Sequence, residues 1–159
     1  MPETRGRLSI EPQGDVLVIK GAIDESAGLS ALLERAQDRR LVLDLGGVTF
    51  INSLGVRDWI RMQTAAQRAG LAVELRRVAE PLVQQLNMIV ATRGAARVTS
   101  FFAPYACDQC GREDSLLIDA ITHARGLSQL EPPAMPCAEC GSQMVFNDFP
   151  ERYFSFLSV

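Results

Sequence analysis

The sequence predicts an α/β protein in which a mixed β-sheet carries its helices mainly on one face, followed by a small zinc ribbon. Two observations predict this class. Short apolar runs alternate with segments of helical periodicity over the first two thirds of the chain. All four cysteines lie in the last third, in two Cys-x-x-Cys-Gly repeats. Because 159 residues suit one ordinary domain with a small appended module, we divide the chain into residues 6–103 and 104–159.

The order of elements in the first module is strand, strand, helix, strand, helix, strand, helix, strand. The helices are predicted from the spacing of apolar residues. In the first one, Leu29, Leu32, Leu33 and Ala36 have the i, i+3, i+4, i+7 spacing of one buried helical face. Alternating strands and helices in so short a chain imply crossover helices on one side of a sheet. The predicted strands are 7–12, 15–21, one that begins at 41, 71–78 and 97–102, and the predicted helices are 26–37, 53–68 and 80–92.

The stretch from Leu41 to Val56 is the centre of the predicted fold. An apolar run ends at Asp44, Gly46-Gly47 predicts a turn, and a second apolar run reaches Ile51. Asn52 and Ser53 then form a polar cap that starts an amphipathic helix, which Gly70 ends. Backbone N–H groups and the helix dipole at such a terminus favour a negative group. Ser53 is therefore either a structural cap or a site for a phosphate.

The second module contains a predicted metal site. In each Cys-x-x-Cys-Gly repeat the spacing lets two thiolates reach one ion, and the glycine lets the backbone fold back under the sulfurs. Four thiolates close a tetrahedral site, so the predicted cofactor is a structural zinc ion, and His123 is expected at the surface or at a helix end. The alternatives are two redox pairs or disulfides, although a thioredoxin-like site would need a larger fold. The predicted ligands are Cys107, Cys110, Cys137 and Cys140.

Residues 6–103 resemble a STAS domain, the fold of the bacterial anti-sigma-factor antagonists. The resemblance lies in Asp44-Leu45, the apolar run Val48–Ile51, and Asn52-Ser53-Leu54-Gly55 before a helix. It implies a protein-binding regulatory module whose partner is an anti-sigma factor that is also a serine kinase. Phosphorylation of Ser53 would break that complex. The implied partner-binding residues are Asp24, Asn52, Ser53, Leu54, Gly55 and Arg57.

The sequence departs from the STAS motif at three positions. Asn52 replaces an acid, Leu54 replaces a second small hydroxyl residue, and Arg57 stands where the family keeps a small residue. Arg57 would crowd a kinase, or pair with a phosphate or a partner's acid. Asp24 resembles a residue near the family's partner-binding face, but an acid leading into the next helix explains it equally well. The second functional hypothesis is therefore a non-switching scaffold or subunit that stabilises a partner complex.

Charge and composition limit the other function classes. Residues 1–103 hold 13 Lys/Arg and 11 Asp/Glu, a net of +2, whereas residues 104–159 hold 3 and 8, a net of −5. An acidic second module argues against a nucleic-acid partner. No apolar run has membrane-spanning length, so we expect a cytoplasmic protein. The sequence contains no set of residues typical of a catalytic site, so we do not expect an enzyme. The aromatic residues from Phe146 to Phe156 are expected to pack internally, with a partner-binding patch as the alternative.

Overall fold

The computed structural model describes residues 7–157, and its first sheet confirms the predicted α/β class. Strand β1 pairs antiparallel with β2, whereas β2 to β5 run parallel, in the order β1-β2-β3-β4-β5. Residue 6 and residues 158–159, which the predicted modules include, lie outside the described range. These strands are β1 (Ser9–Gln13), β2 (Val16–Ile23), β3 (Arg40–Ile51), β4 (Ala72–Arg76) and β5 (Arg97–Val98).

Helices α1 (Ser53–Arg68) and α2 (Glu80–Met88) share one hydrophobic core with this sheet. Alternate residues of β3, namely Leu41, Leu43 and Leu45, are almost completely buried in that core. Because successive side chains of a strand point to opposite faces, these three mark the face that the helices cover. Trp59 of α1 and Leu82 of α2 are fully buried against it.

Helix α1 has the predicted bounds because both of its ends are determined by local residues. At its start, the Asn52 side chain accepts a hydrogen bond from the backbone N–H of Gly55. At its end, Gly70 adopts a left-handed φ of 73°, and the N–H of Leu71 donates to the carbonyl of Ala66. The predicted cap and the predicted stop are both confirmed.

The turn predicted at Gly46-Gly47 is wrong, because β3 runs through both glycines as one strand of 12 residues. A Cβ on Gly47 would lie 2.5 Å from Cγ of Lys20, and one on Gly46 would lie 3.1 Å from Cζ of Arg77. The two glycines therefore make room for side chains of the neighbouring strands. The pairing of β2 with β3 also shifts register between Val18 and Lys20.

Two predicted helices are shorter than the sequence suggested. The segment predicted over 26–37 is a 3-10 helix at Leu29–Arg35, in which the i, i+3 pair Leu29 and Leu32 is buried. Helix α2 ends at Met88, and a 3-10 turn follows at Val90–Thr92. Near this end, the side chains of Thr92 and Arg93 donate to the carbonyls of Gln85 and Leu86, at 3.1 and 2.7 Å.

The second sheet has the order β7-β6-β9-β8 and carries the cysteines. Strands β6 and β7 form an antiparallel hairpin, and β9 pairs with the other side of β6. Helix α3 (Ala124–Ser128) follows β7, with His123 at its N-terminal end, as expected. In chain order, the strands are β6 (Ser100–Cys107), β7 (Glu113–Asp119), β8 (Met135–Pro136) and β9 (Gln143–Phe146).

The two sheets meet where β5 continues almost directly into β6. Val78, just beyond β4, forms an isolated parallel bridge with Phe101, and its N–H donates to the carbonyl of Ser100. The single strand predicted over 97–102 is thus divided between the two sheets. The boundary expected between residues 103 and 104 falls inside β6, and the division into two functional modules stays a prediction.

The C-terminal aromatic residues cover this junction. Helix α4 (Pro150–Tyr153) and a 3-10 turn (Ser155–Leu157) lie beside α2. The Tyr153 hydroxyl donates to the carbonyl of Phe102 at 2.6 Å, and the ring of Phe156 meets that of Phe101 edge-on, 5.1 Å between centroids. Tyr153, Phe154 and Phe156 are buried, so these three residues pack internally, whereas Phe149 is exposed.

Within residues 7–157, no helix combines the length and the apolar character needed to span a bilayer.

Candidate metal centre and helix-end site

The four cysteines converge on one point at the end of the second sheet. Cys107 ends β6, and Cys137 directly follows β8. All four sulfurs lie within 4.8 Å of one another, and the two closest pairs, Cys107–Cys140 and Cys110–Cys137, are 3.5 and 3.7 Å apart. A tetrahedral ion with metal–sulfur bonds of about 2.3 Å requires sulfurs about 3.8 Å apart. The cluster can therefore hold a metal ion.

The two cysteine repeats have the same backbone geometry. The N–H of Gly111 donates to the carbonyl of Cys107 at 2.9 Å, and the N–H of Gly141 donates to that of Cys137 at 3.0 Å. Both glycines have a left-handed φ, 75° and 76°. A β-carbon would strain such a φ, so the glycine after each second cysteine is required by the turn.

Hydrogen bonds favour the thiolate form of two of these cysteines. The backbone N–H and the hydroxyl of Ser142 lower the pKa of Cys140 to about 6, and the N–H groups of Cys140 and Glu139 lower the pKa of Cys137. The backbone N–H of Arg112 likewise favours the Cys110 thiolate, but desolvation and the neighbouring sulfurs raise its pKa to about 12. The hydrogen bonds to Cys140 thus favour its thiolate, which is the form that binds metal.

Arg112 connects the two cysteine repeats from outside the cluster. Its guanidinium forms ion pairs with Glu139, at 2.9 Å, and with Asp114, at 3.2 Å. No sequence motif indicated these residues, because the contact depends on the antiparallel pairing that brings the repeats together. Within the described part of the chain, the cluster contains the four cysteines and no histidine, so four thiolates would fill a tetrahedral ion and leave no open position.

The second candidate site is the start of α1, where Ser53 is exposed. Asn52 holds this end of the helix in two ways. Its Oδ1 accepts the N–H of Gly55 at 2.8 Å, and its Nδ2 donates to Oε2 of Glu25 at 3.0 Å. The second bond joins the helix start to the loop after β2. Glu25 was missed by the sequence reasoning, because only the parallel pairing of β2 and β3 brings this loop beside Asn52.

Gly55 lets α1 approach the end of β2. A Cβ at this position would lie 2.0 Å from the carbonyl oxygen of Ile23, although the φ of Gly55 is not left-handed. The N–H of Asn52 donates to the same carbonyl at 3.2 Å. Of the predicted partner-binding residues, Gly55 is therefore buried and structural.

Asp24 organises the loop beside this helix end. Its Oδ1 accepts hydrogen bonds from the N–H and the hydroxyl of Ser26, at 2.9 and 2.6 Å. This turn is local, but the 3-10 helix begins only at Leu29, so Asp24 does not lead directly into a helix as the sequence suggested. The Asn52–Glu25 bond brings the Asp24 loop beside the start of α1, where Ser53, Leu54 and Arg57 are exposed.

The exposed part of the α1 start contains both apolar and basic side chains. Leu54 is 42% exposed, and Ser53 and Arg57 are also exposed. Arg57 forms an ion pair with Asp58 at 3.5 Å, and Arg61 lies 3.8 Å from the same carboxylate. Arg57 lies four residues beyond Ser53, a spacing that places two side chains on the same face of a helix.

Neither the models of known protein families nor the curated proteins contain a match to this chain.

Proposed function

We propose that this protein is a regulatory protein-binding module of the STAS type, which docks a partner protein through the start of α1 and the Asp24 loop. One observation carries the proposal: exposed Ser53 stands at the first turn of α1, beside a loop held by the Asn52–Glu25 hydrogen bond. Exposed Leu54 adds an apolar contact to this otherwise polar region. The proposal assigns no catalytic reaction to the chain.

Phosphorylation of Ser53 is the proposed switch. A phosphate would add a charge of about −2 at this helix end. It would stand beside Asp24 and Glu25, and within reach of Arg57 one turn along the helix. A partner that approaches Ser53 with acidic or apolar groups would then be repelled. The proposed partner is an anti-sigma factor that is also the serine kinase.

Zinc is the proposed metal, with a structural role. Four cysteine thiolates at tetrahedral spacing match the preference of this ion. Since free thiolates persist in a reducing compartment, the site supports a cytoplasmic location. The acidic charge of the second module argues against nucleic acid as the partner.

The alternative is a constitutive scaffold or subunit. Asn52 donates to Glu25, an arrangement that the acid of the STAS motif cannot make, and Leu54 presents apolar surface in place of a hydroxyl. Both features suit permanent contact with a partner. In this case the partner would copurify regardless of the state of Ser53.

A photocrosslinking amino acid at position 54 tests the docking surface in the native cells. Leu117 on β7 is the matched control, because it is 43% exposed against 42% for Leu54 and lies on the other sheet. We expect a specific crosslinked protein from position 54 and none from position 117. Equal crosslinking from both positions, or none from position 54, would argue against the proposed surface.

The captured partner then allows the switch to be tested by calorimetry. Ser53→Asp should weaken binding at least about tenfold, a loss of about 1.4 kcal/mol, whereas Ser53→Ala should bind as the wild type does. If both variants bind equally well, the switch is excluded and the scaffold remains.

A further inference from the structure

A groove of about 650 Å³ lies at the junction of the two sheets, away from both sites described above. This volume is within the range of about 300–1,000 Å³ that is usual for small-molecule sites. Strand β5, helix α3 and the C-terminal turn contribute its walls. The apolar wall consists mainly of Val98, Ile121, Leu127, Leu130, Phe154 and Leu157.

Several of these apolar side chains are exposed to solvent. Ile121 is 56% exposed and Leu130 is 45% exposed, and both line the groove. Exposure of large aliphatic side chains is common one at a time, but a concave group of them is the usual lining of a ligand site. An alkyl chain in the groove would remove this surface from water.

The backbone at Leu130 is strained in a way that favours this interpretation. Leu130 has a φ of 61°, directly after α3. There, the N–H of Glu131 donates to the carbonyl of Gly126 at 2.8 Å, and the N–H of Leu130 donates to that of Leu127 at 3.1 Å. Glycine is the usual residue at this position, because a side chain is disfavoured at such a φ. The leucine side chain contributes to the wall of the groove despite this cost.

The polar groups of the groove favour an anionic ligand head. The hydroxyls of Ser128 and Ser155 already donate within the protein, to the carbonyl of Arg125 and to Oδ1 of Asn87. Within the described residues, Arg97 forms no ion pair, although Glu151 also lines the groove. A guanidinium can hold a carboxylate through two parallel hydrogen bonds, so Arg97 can bind an anionic head.

We propose that this groove binds an aliphatic carboxylate, with the carboxylate on Arg97 and the alkyl chain along Ile121 and Leu130. The site is independent of partner docking at α1, so either proposal can fail without the other. The ligand class is a straight-chain fatty acid. Glu151 at the same groove would oppose, and not assist, an anionic head.

Calorimetric titration of the metal-loaded full chain with dodecanoate, below the concentration at which it forms micelles, tests the proposal. We expect saturable one-to-one binding. Leu130→Gly should weaken it at least about tenfold, since it removes one wall and at the same time relieves the backbone strain. Leu117→Ala is the apolar control and should leave binding unchanged. Equal binding to wild type and Leu130→Gly, with the thermal midpoint retained, would overturn the proposal.

Charge variants test the orientation of the ligand. Arg97→Gln should weaken dodecanoate binding about tenfold and leave the binding of neutral dodecanol unchanged. Glu151→Gln should leave dodecanoate binding equal or make it tighter. Arg35→Gln, in the 3-10 helix Leu29–Arg35 away from the groove, is the charge control and should leave binding unchanged. Binding of dodecylammonium in place of dodecanoate, or no saturable binding of either, would refute the assignment.

Discussion

Asn52 illustrates how one side chain can determine both a helix start and the position of a loop. Its oxygen caps α1, and its amide nitrogen binds Glu25. An aspartate, the residue of the STAS motif, would cap equally well but would bring a second carboxylate against Glu25. Asparagine therefore has a local electrostatic advantage at position 52.

This explanation predicts the effect of Asn52→Asp. The variant should lower the free energy of unfolding by about 1 kcal/mol at neutral pH, because the bond to Glu25 is replaced by repulsion. Combining it with Glu25→Gln should restore most of the loss, since an amide can donate to the new carboxylate. Chemical denaturation of the two single variants and the double variant measures the coupling. An additive double variant would contradict this account.

Gly55 gives a second prediction at the same helix end. Gly55→Ala should lower the free energy of unfolding by about 3 kcal/mol, because the methyl group would overlap the carbonyl oxygen of Ile23. Ser53→Ala, two positions away and exposed, is the control and should change stability little. Equal midpoints of denaturation for the two variants would show that the helix start can move away from β2.

Helices and strands could be predicted from the sequence where local residues determine their ends. The cap at Asn52 and the stop at Gly70 predicted α1 to the residue, and the cysteine spacing predicted the cluster of sulfurs. Gly46-Gly47 was misread because the side chains that a Cβ there would meet, Lys20 and Arg77, are distant in sequence. Helix α2 was predicted too long for a local reason: the apolar spacing continues past Met88, but the side chains of Thr92 and Arg93 bond to the carbonyls of Gln85 and Leu86.

The cysteine cluster predicts how the second sheet responds to loss of metal. It joins the ends of β6 and β8 to the turns that follow them. A chelator should therefore lower the free energy of unfolding by about 4 kcal/mol, if the free metal concentration before chelation is about a thousand times the dissociation constant. Thermal unfolding followed by circular dichroism measures this change. The double variant Cys110→Ser/Cys140→Ser is the control, and its midpoint should not respond to the chelator.

The described protein has one continuous hydrophobic core, which includes residues of both sheets. The sequence suggested two modules, because composition and charge change near residue 104. It could not show that β6 would pass through this boundary, nor that the residues around Tyr153 would fold back onto α2. Both arrangements depend on contacts between residues far apart in the chain, such as the 2.8 Å hydrogen bond from Nδ2 of Asn87 to the carbonyl of Tyr153.

A continuous core predicts that both sheets unfold together. Trp59 is the only tryptophan and lies in the core of the first sheet, whereas a bound cobalt ion would report on the cysteine cluster through its thiolate absorbance. The two signals should change at the same urea concentration. Phe156→Ala should move both midpoints equally, by about 3 kcal/mol in stability. Separate transitions would instead show two independent modules.

The aromatic cover over the junction also affects the order of events during synthesis. The strands of the first sheet are complete once Val98 has been made, but Phe101 acquires its neighbours Tyr153, Phe154 and Phe156 only some fifty residues later. Until these residues leave the ribosome, the nascent chain displays an unfinished apolar edge that chaperones bind. A frameshift after Phe149 would therefore release a chain whose earlier part is intact in sequence and incomplete in structure.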